Sequence, residues 1–190
     1  LVPIILTPYI ARVLTANGVG ISSYVTANVT YFQLFSFLGI AGHGQREIAI
    51  ARKDKQKVSQ IFWELQLLHF LCGAVVLMIY IAFVGIIPSN DVRIYYILNS
   101  IMIIASILDI SWLYQGFECF RNIALKNVIA KGSIVFFSVL LVKTEADLWK
   151  YIVINALGLL CSSVFLWKEI HHYVLPLRET KNLYVFRHMK

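Results

Sequence analysis

Apolar runs recur along the chain with only short polar stretches between them, and that alternation constrains the fold more than any single motif. The runs fall near residues 1–14, 21–41, 61–87, 94–114, 122–142 and 148–167. Crossing a bilayer takes about 20 predominantly apolar residues in a helix. All but the first run reach that length; the first reads as the far half of a helix whose beginning lies outside the sequence. It has neither the basic start nor the cleavage site of a complete signal peptide. The third run, roughly 27 residues, is long enough to cross with tilt.

Composition agrees. The chain is 59% hydrophobic and 14% charged, with mean hydropathy +0.73, whereas a soluble domain carries about 25% charged residues. A water-soluble fold of this size has no means of hiding so much apolar surface. The expected class is an all-α integral membrane protein of about six transmembrane helices.

The net charge of +7 does not describe a nucleic-acid binder, which needs a solvated basic face. The basic residues collect instead in connectors. Residues 45–60 carry Arg46, Arg52, Lys53, Lys55 and Lys57; such a segment faces the cytoplasm by the positive-inside rule. The remaining connectors then alternate. Residues 88–91 and Lys143–Asp147 face outward, Arg121 and Lys126 mark the next inner connection, and both ends of the chain lie inside.

Residues 1–168 are expected to form one transmembrane lobe. Residues 169–190 form a basic cytoplasmic stretch containing His171, His172, Arg178, Lys181, Arg187 and Lys190. That stretch reads as a connector towards a second lobe; its alternating apolar and basic residues also fit a surface-lying segment. Turns are expected at Thr15–Gly20, around Asn17-Gly18, and at Gly42-His43-Gly44, closing the second helix.

No enzyme signature, cofactor motif or metal-ligand spacing is present. Cys72, Cys119 and Cys161 are isolated, and the first and last of these read as small core residues. Asn28-Val29-Thr30 matches a glycosylation sequon but lies inside an apolar run.

The chemistry therefore rests on charges within the apolar runs. Asp109 precedes Trp112 and Tyr114, read as interface aromatics, and Gly116, read as the break where the chain leaves the bilayer. An ionisable group at a helix centre costs roughly 2.5–3.5 kcal/mol on insertion scales. Asp109 thus faces a partner or a wet cavity, or lies close enough to the interface to be hydrated. Lys126 and Lys131 enter the fifth run from the side on which Asp109 leaves the fourth; Asp109 and Lys126 lie at similar depth, and their pairing is expected. Arg12 either snorkels to the outer interface or faces a cavity and binds an anionic group such as phosphate. Tyr9 stands one turn behind it. Glu64 is expected hydrated at the inner boundary.

Three stretches carry a family resemblance. Pro8-Tyr9-Ile10-Ala11-Arg12-Val13-Leu14 with Gly18 and Gly20 is similar to the first helix and turn of bacterial polysaccharide-repeat-unit flippases of the O-antigen and capsule type. Gly39-Ile40 with Gly44-Gln45-Arg46-Glu47-Ile48-Ala49 and Arg52 resembles the stretch after their second helix. Asp109-Ile110-Ser111-Trp112 with Tyr114-Gln115-Gly116 and Glu118 resembles their fourth-helix ending. Val142-Lys143 and Asp147 form a weaker fourth match.

The resemblance is to the polysaccharide-transporter branch of the multidrug, oligosaccharidyl-lipid and polysaccharide exporters. It implies one lobe of a two-lobe exporter with a central cationic cavity. The cargo it implies is a polyprenyl-pyrophosphate-linked oligosaccharide, moved across the bacterial cytoplasmic membrane. On that basis Arg12 and Tyr9, with Lys126 and Lys131, are candidates for cavity and substrate contacts. Asp109 and Glu118 are candidates for gating or ion coupling, and Arg46 and Glu47 for shaping the cytoplasmic loop. No cofactor or metal is implied. The implied partners are the lipid-linked oligosaccharide, membrane lipids, a second lobe or a second copy, and polysaccharide polymerase machinery. Family members carry two lobes, so the chain is expected to be a fragment of a longer transporter. The other readings of the sequence are a related small-molecule exporter and a non-transporting membrane remnant or scaffold.

Overall fold

The computed structural model describes residues 2–37, 39–87, 90–177 and 180. The outer turn expected at residues 88–91 and the basic stretch beyond residue 177 lie largely outside the described residues.

Among the described residues eight α-helices follow in order: α1 Val2–Val13, α2 Thr15–Phe37, α3 Ile40–Ala51, α4 Lys55–Ile86, α5 Asn90–Ile107, α6 Ser111–Gly116, α7 Phe120–Leu141 and α8 Leu148–Trp167. Among the described residues there is no strand. Among the described residues four spans are long and apolar enough to cross a membrane: Lys55–Ile86, Val92–Gly116, Phe120–Leu141 and Glu145–His172. Helix α5 sits at the centre, packed on α8, α2 and α4, while α7 covers the other side of α8 and α1 bridges α2 and α7.

The connections gather at two ends. At one, Thr15 Oγ1 donates to Glu145 Oε1 (2.8 Å) and Tyr9 Oη donates to Val142 O (2.7 Å). At the other, Lys55 Nζ donates to the carbonyl of His171 (3.3 Å), Asn122 Nδ2 to Glu169 Oε2 (2.8 Å) and Trp63 Nε1 to Leu175 O (2.9 Å).

Two expected turns are helical. The chain reverses after α1 at Thr15 alone, which takes a left-handed φ of 60°, and Asn17-Gly18 falls inside α2. Gly18 is buried, and a Cβ there would meet Leu14 Cβ at 3.2 Å. The glycine serves close packing rather than a turn. The next break lies at Gly39, with φ of 77°, a conformation glycine adopts without steric cost. Gly42-His43-Gly44 then lies inside α3. The polar segment expected over 45–60 is mostly helical, interrupted where Asp54 caps α4 by accepting from the amides of Gln56 (3.1 Å) and Lys57 (3.2 Å).

The fourth span is not one continuous helix. It breaks at residues 108–110 and resumes as α6, and the carbonyls freed there are met by side chains. Ile107 O accepts from Gln66 Nε2 (3.0 Å) and Leu108 O from Trp167 Nε1 (2.8 Å). A broken helix at membrane depth is tolerable when its backbone is satisfied by protein in this way.

The aromatics of α6 occupy the core rather than an interface. Trp112 is 2% exposed and Tyr114 fully buried. The Trp112 ring stacks on Phe62 at 5.5 Å, and Tyr114 Oη donates to Leu166 O (2.6 Å). Glu64, expected in water, is 1% exposed and accepts from Gln60 Nε2 (3.0 Å) one turn away. Cys161, read as a core residue, is exposed on α8. Asn28 bonds across helices instead of facing solvent, donating from Nδ2 to Tyr96 Oη (2.7 Å).

Candidate functional site: a charged cavity at a broken helix

The break after α5 builds the site. Asp109 closes α5 by giving its amide to Ser106 O (3.0 Å), and its carboxylate opens α6. Oδ1 accepts from the Ser111 amide (2.8 Å) and from the Ser111 hydroxyl. Such short-range bonding is what lets an aspartate start a helix. Oδ2 accepts from Lys126 Nζ at 2.7 Å, and the same ammonium donates to Ser111 Oγ at 2.8 Å. The pairing expected from the sequence is present. Lys126 is 8% exposed at its side chain and Asp109 27%, so the carboxylate still reaches open space while the ammonium is largely covered.

That space is a cavity of about 640 Å³ between α1, α2, α5, α7 and α8. Its polar lining includes Thr7, Gln33, Asp109, Lys126, Asn127, Lys131, Tyr151 and Asn155. Lys131 is exposed, about 1.4 turns beyond Lys126 on α7. Several lining groups are already committed. Gln33 Nε2 donates to Met102 O (2.8 Å) and Asn155 Nδ2 to Tyr151 O (2.8 Å). The lining therefore presents one carboxylate and two ammonium groups, a net positive wall built by otherwise apolar helices. Cations of this kind suit an anionic group, and partial burial strengthens their field.

The other expected residues lie elsewhere. Arg12 is exposed at the end of α1, and Tyr9 ties α1 to the carboxyl end of α7; neither lines this cavity. Arg46 and Glu118 line a separate open groove over α3 and α6, and Glu47 is half-buried on α3. Glu118 forms an ion pair with Arg52 at 3.3 Å.

Two of the sequence stretches quoted above meet here. A Cβ on Gly44 of α3 would stand 2.6 Å from the Trp112 ring, and one on Gly116 would stand 2.7 Å from Ile48 Cβ and 2.9 Å from Gln45 O. The glycines let α3 and α6 touch along their backbones, and Arg52–Glu118 closes the far end of that contact. Sequence reasoning missed this role for Gly44 and Gly116. It also missed Ser111, whose hydroxyl joins Asp109 to Lys126; its place two residues after an in-membrane aspartate was the available signal.

The chain matches the family described as "Polysaccharide biosynthesis protein" over residues 1–189. It belongs to that family. Two relatives described as "Putative O-antigen transporter" are similar to it. One, from Escherichia coli (strain K12), is 23% identical over 149 residues, covering 78% of this chain and 36% of the relative. The other, from Shigella dysenteriae, is 23% identical over 188 residues, covering 97% of this chain and 47% of the relative. The chain thus spans less than half the length of the curated relatives it matches. No solved structure matches it. With its four apolar spans, this member of the family is a multi-pass membrane protein, and its relatives are named as transporters rather than enzymes.

Proposed function

We propose that these helices form one lobe of a flippase that moves polyprenyl-pyrophosphate-linked oligosaccharide repeat units across the bacterial cytoplasmic membrane. The observation that carries the proposal is the cavity, whose lining brings Lys131 together with the Asp109–Lys126 pair inside apolar helices. Lys131 and Lys126 would attract the pyrophosphate, while Asp109 holds Lys126 in place until the anion competes for it. Uncharged hydrogen-bonding groups beside them, such as Asn127 and Tyr151, suit sugar hydroxyls.

In this reading α1 and α2 join the four apolar spans to make six crossings. The basic ends of α3, α4 and α7 face the cytoplasm, as do both chain ends. Arg12 then lies on the outer side, where it would meet the cargo on release. Asp109 and Glu118 act in gating or ion coupling, Arg46 and Glu47 shape the inner face, and a second lobe or second copy closes the cavity. Polymerase machinery would take up the cargo outside.

The test is complementation of a flippase-deficient bacterium. The chain alone is compared with the chain joined to the carboxyl-terminal part of the Escherichia coli relative, expression being matched. Surface polysaccharide returning with the joined protein, and failing again with Lys126→Met plus Lys131→Met, is the expected result. If neither form restores polymer although both reach the membrane, the translocation reading fails.

A further inference from the structure

The open groove over α3 and α6 has a volume of about 660 Å³ and reaches the start of α7. Its depth in the membrane follows from the spans it touches. Gln115 and Gly116 close the apolar span Val92–Gly116, and Phe120 opens the span Phe120–Leu141. A groove built where two spans end lies at the boundary between hydrocarbon and water, the level of lipid headgroups. That placement holds whichever way the chain is oriented.

The polar groups of the groove select its occupant. Arg46 lines it from α3 and is exposed. Among the described residues no hydrogen bond or ion pair engages its guanidinium. The single carboxylate among the described lining residues, Glu118, is already paired with Arg52 at 3.3 Å. Gln45 and Gln115 add neutral amide donors. The lining therefore keeps one uncompensated, permanent cation beside uncharged donors. A guanidinium offers two parallel N–H bonds to a phosphate group, so this set suits a phosphodiester.

An apolar strip leads out of the groove into the depth of the span. Phe120, Ala124 and Val128 are exposed and follow one face of α7 at helical spacing. On α3, Ile50 stands one turn beyond Arg46 and is exposed as well. A free phosphate has no use for such a strip, whereas acyl chains do. A zwitterionic lipid would bring an ammonium of its own towards the uncompensated guanidinium; an anionic lipid brings none. We propose that the groove binds an anionic phospholipid, its phosphodiester on Arg46 and its acyl chains along Phe120, Ala124 and Val128. The bound lipid bridges α3 and α7 across the end of α6, beside the Arg52–Glu118 pair. This inference does not depend on which cargo the cavity takes.

The test is native mass spectrometry of the full chain in detergent, titrated separately with phosphatidylglycerol, phosphatidylcholine and a polyprenyl phosphate. The expected result is one site that holds phosphatidylglycerol more tightly than the other two. Arg46→Gln is expected to weaken it by about tenfold or more, the scale of a lost hydrogen bond to a charged group. Lys168→Gln removes an exposed charge from the same end of the bundle and is expected to leave it unchanged. Excess inorganic phosphate, lacking chains, is expected to leave the lipid in place. Equal losses in the two variants would show diffuse attraction by a basic surface and overturn the site. Phosphatidylcholine held as tightly overturns the selection by charge, and displacement by inorganic phosphate overturns the lipid. Preference for the polyprenyl phosphate would give the groove to that lipid instead and overturn the assignment. Should Arg46→Gln fail to fold, Arg46→Lys, which keeps the charge and loses the planar fork, must still weaken phosphatidylglycerol alone.

Discussion

Two ion pairs bracket one short helix, and they differ in almost every physical respect. Asp109 stands before α6 and meets Lys126 at 2.7 Å with side chains 27% and 8% exposed. Glu118 stands after α6 and meets Arg52 at 3.3 Å with side chains 68% and 48% exposed. An acid is favoured before a helix and disfavoured after it, by about 0.3–1 kcal/mol at exposed positions. Asp109 therefore sits where the backbone welcomes it. Glu118 is opposed, and opposed twice. The end of α6 closes with the Cys119 amide on Tyr114 O (2.9 Å) and the Glu118 amide on Gln115 O (3.0 Å). That pattern puts its middle residue in the left-handed region, where glycine is usual; here φ is 60° at a glutamate. The buried pair is an element of the fold once made. The exposed pair gives stability no reason to choose a glutamate, so Glu118 is the better candidate for a contact that opens and closes.

The sharpest way to break this comparison is to remove the ammonium of the buried pair. Lys126→Met leaves a carboxylate unpaired among apolar helices and is expected to cost about 3–5 kcal/mol, read as a fall in thermal midpoint in detergent. Asp109→Asn in the same chain is expected to recover a good part of that loss. A double-mutant cycle should give a coupling of about 1–3 kcal/mol. Additive single effects would mean that the two groups do not interact in the membrane.

The next effect tests whether α6 is held as firmly at its far end. Gly116→Ala places a methyl 2.7 Å from Ile48 Cβ and 2.9 Å from the backbone oxygen of Gln45. Backbone cannot give way as a flexible side chain can, so the cost is expected at about 1–3 kcal/mol. The same change at Gly85, which has nothing within 4 Å, is the control and should stabilise or leave the midpoint alone. Equal effects at the two glycines would show that α3 and α6 are not in close contact.

How far the sequence could be read follows the same division. Periodicity and hydropathy located the long helices, because a bilayer imposes a length. They located the Asp109–Lys126 pair, because depth and cost left each group few partners. They misplaced the turns at Asn17-Gly18 and Gly42-His43-Gly44, because a glycine needed for close approach looks identical in sequence to one needed for a turn. Trp112, Tyr114 and Glu64 were read outward because lipid, water and protein neighbours impose similar composition on a membrane helix. Only the tertiary arrangement separates them.

Glu118→Gly has a smaller expected effect, and its sign is the informative part. It forfeits an exposed ion pair, worth about 0–1 kcal/mol, and relieves a left-handed side chain, worth roughly 1–2 kcal/mol. The variant is expected to be as stable as the parent or more so, with any loss appearing in transport alone. A marked fall in thermal midpoint would mean that the glutamate is structural, like Asp109.

Arg52→Ala is the smallest change and isolates what Glu118→Gly mixes together. It removes the charge partner while leaving φ at residue 118 and the closure of α6 untouched, so no strain is relieved. The expected loss is at most about 1 kcal/mol at low ionic strength. Because both side chains are open to solvent, it should vanish as salt rises and the screening length shrinks towards 3 Å at 1 M. The Lys126→Met loss, by contrast, should persist at that salt, since ions do not screen a covered ammonium. A persistent Arg52→Ala loss at high salt would place Arg52 and Glu118 out of water in the membrane-embedded protein. The two pairs would then be alike, and the case for a separate opening contact at Glu118 would be gone.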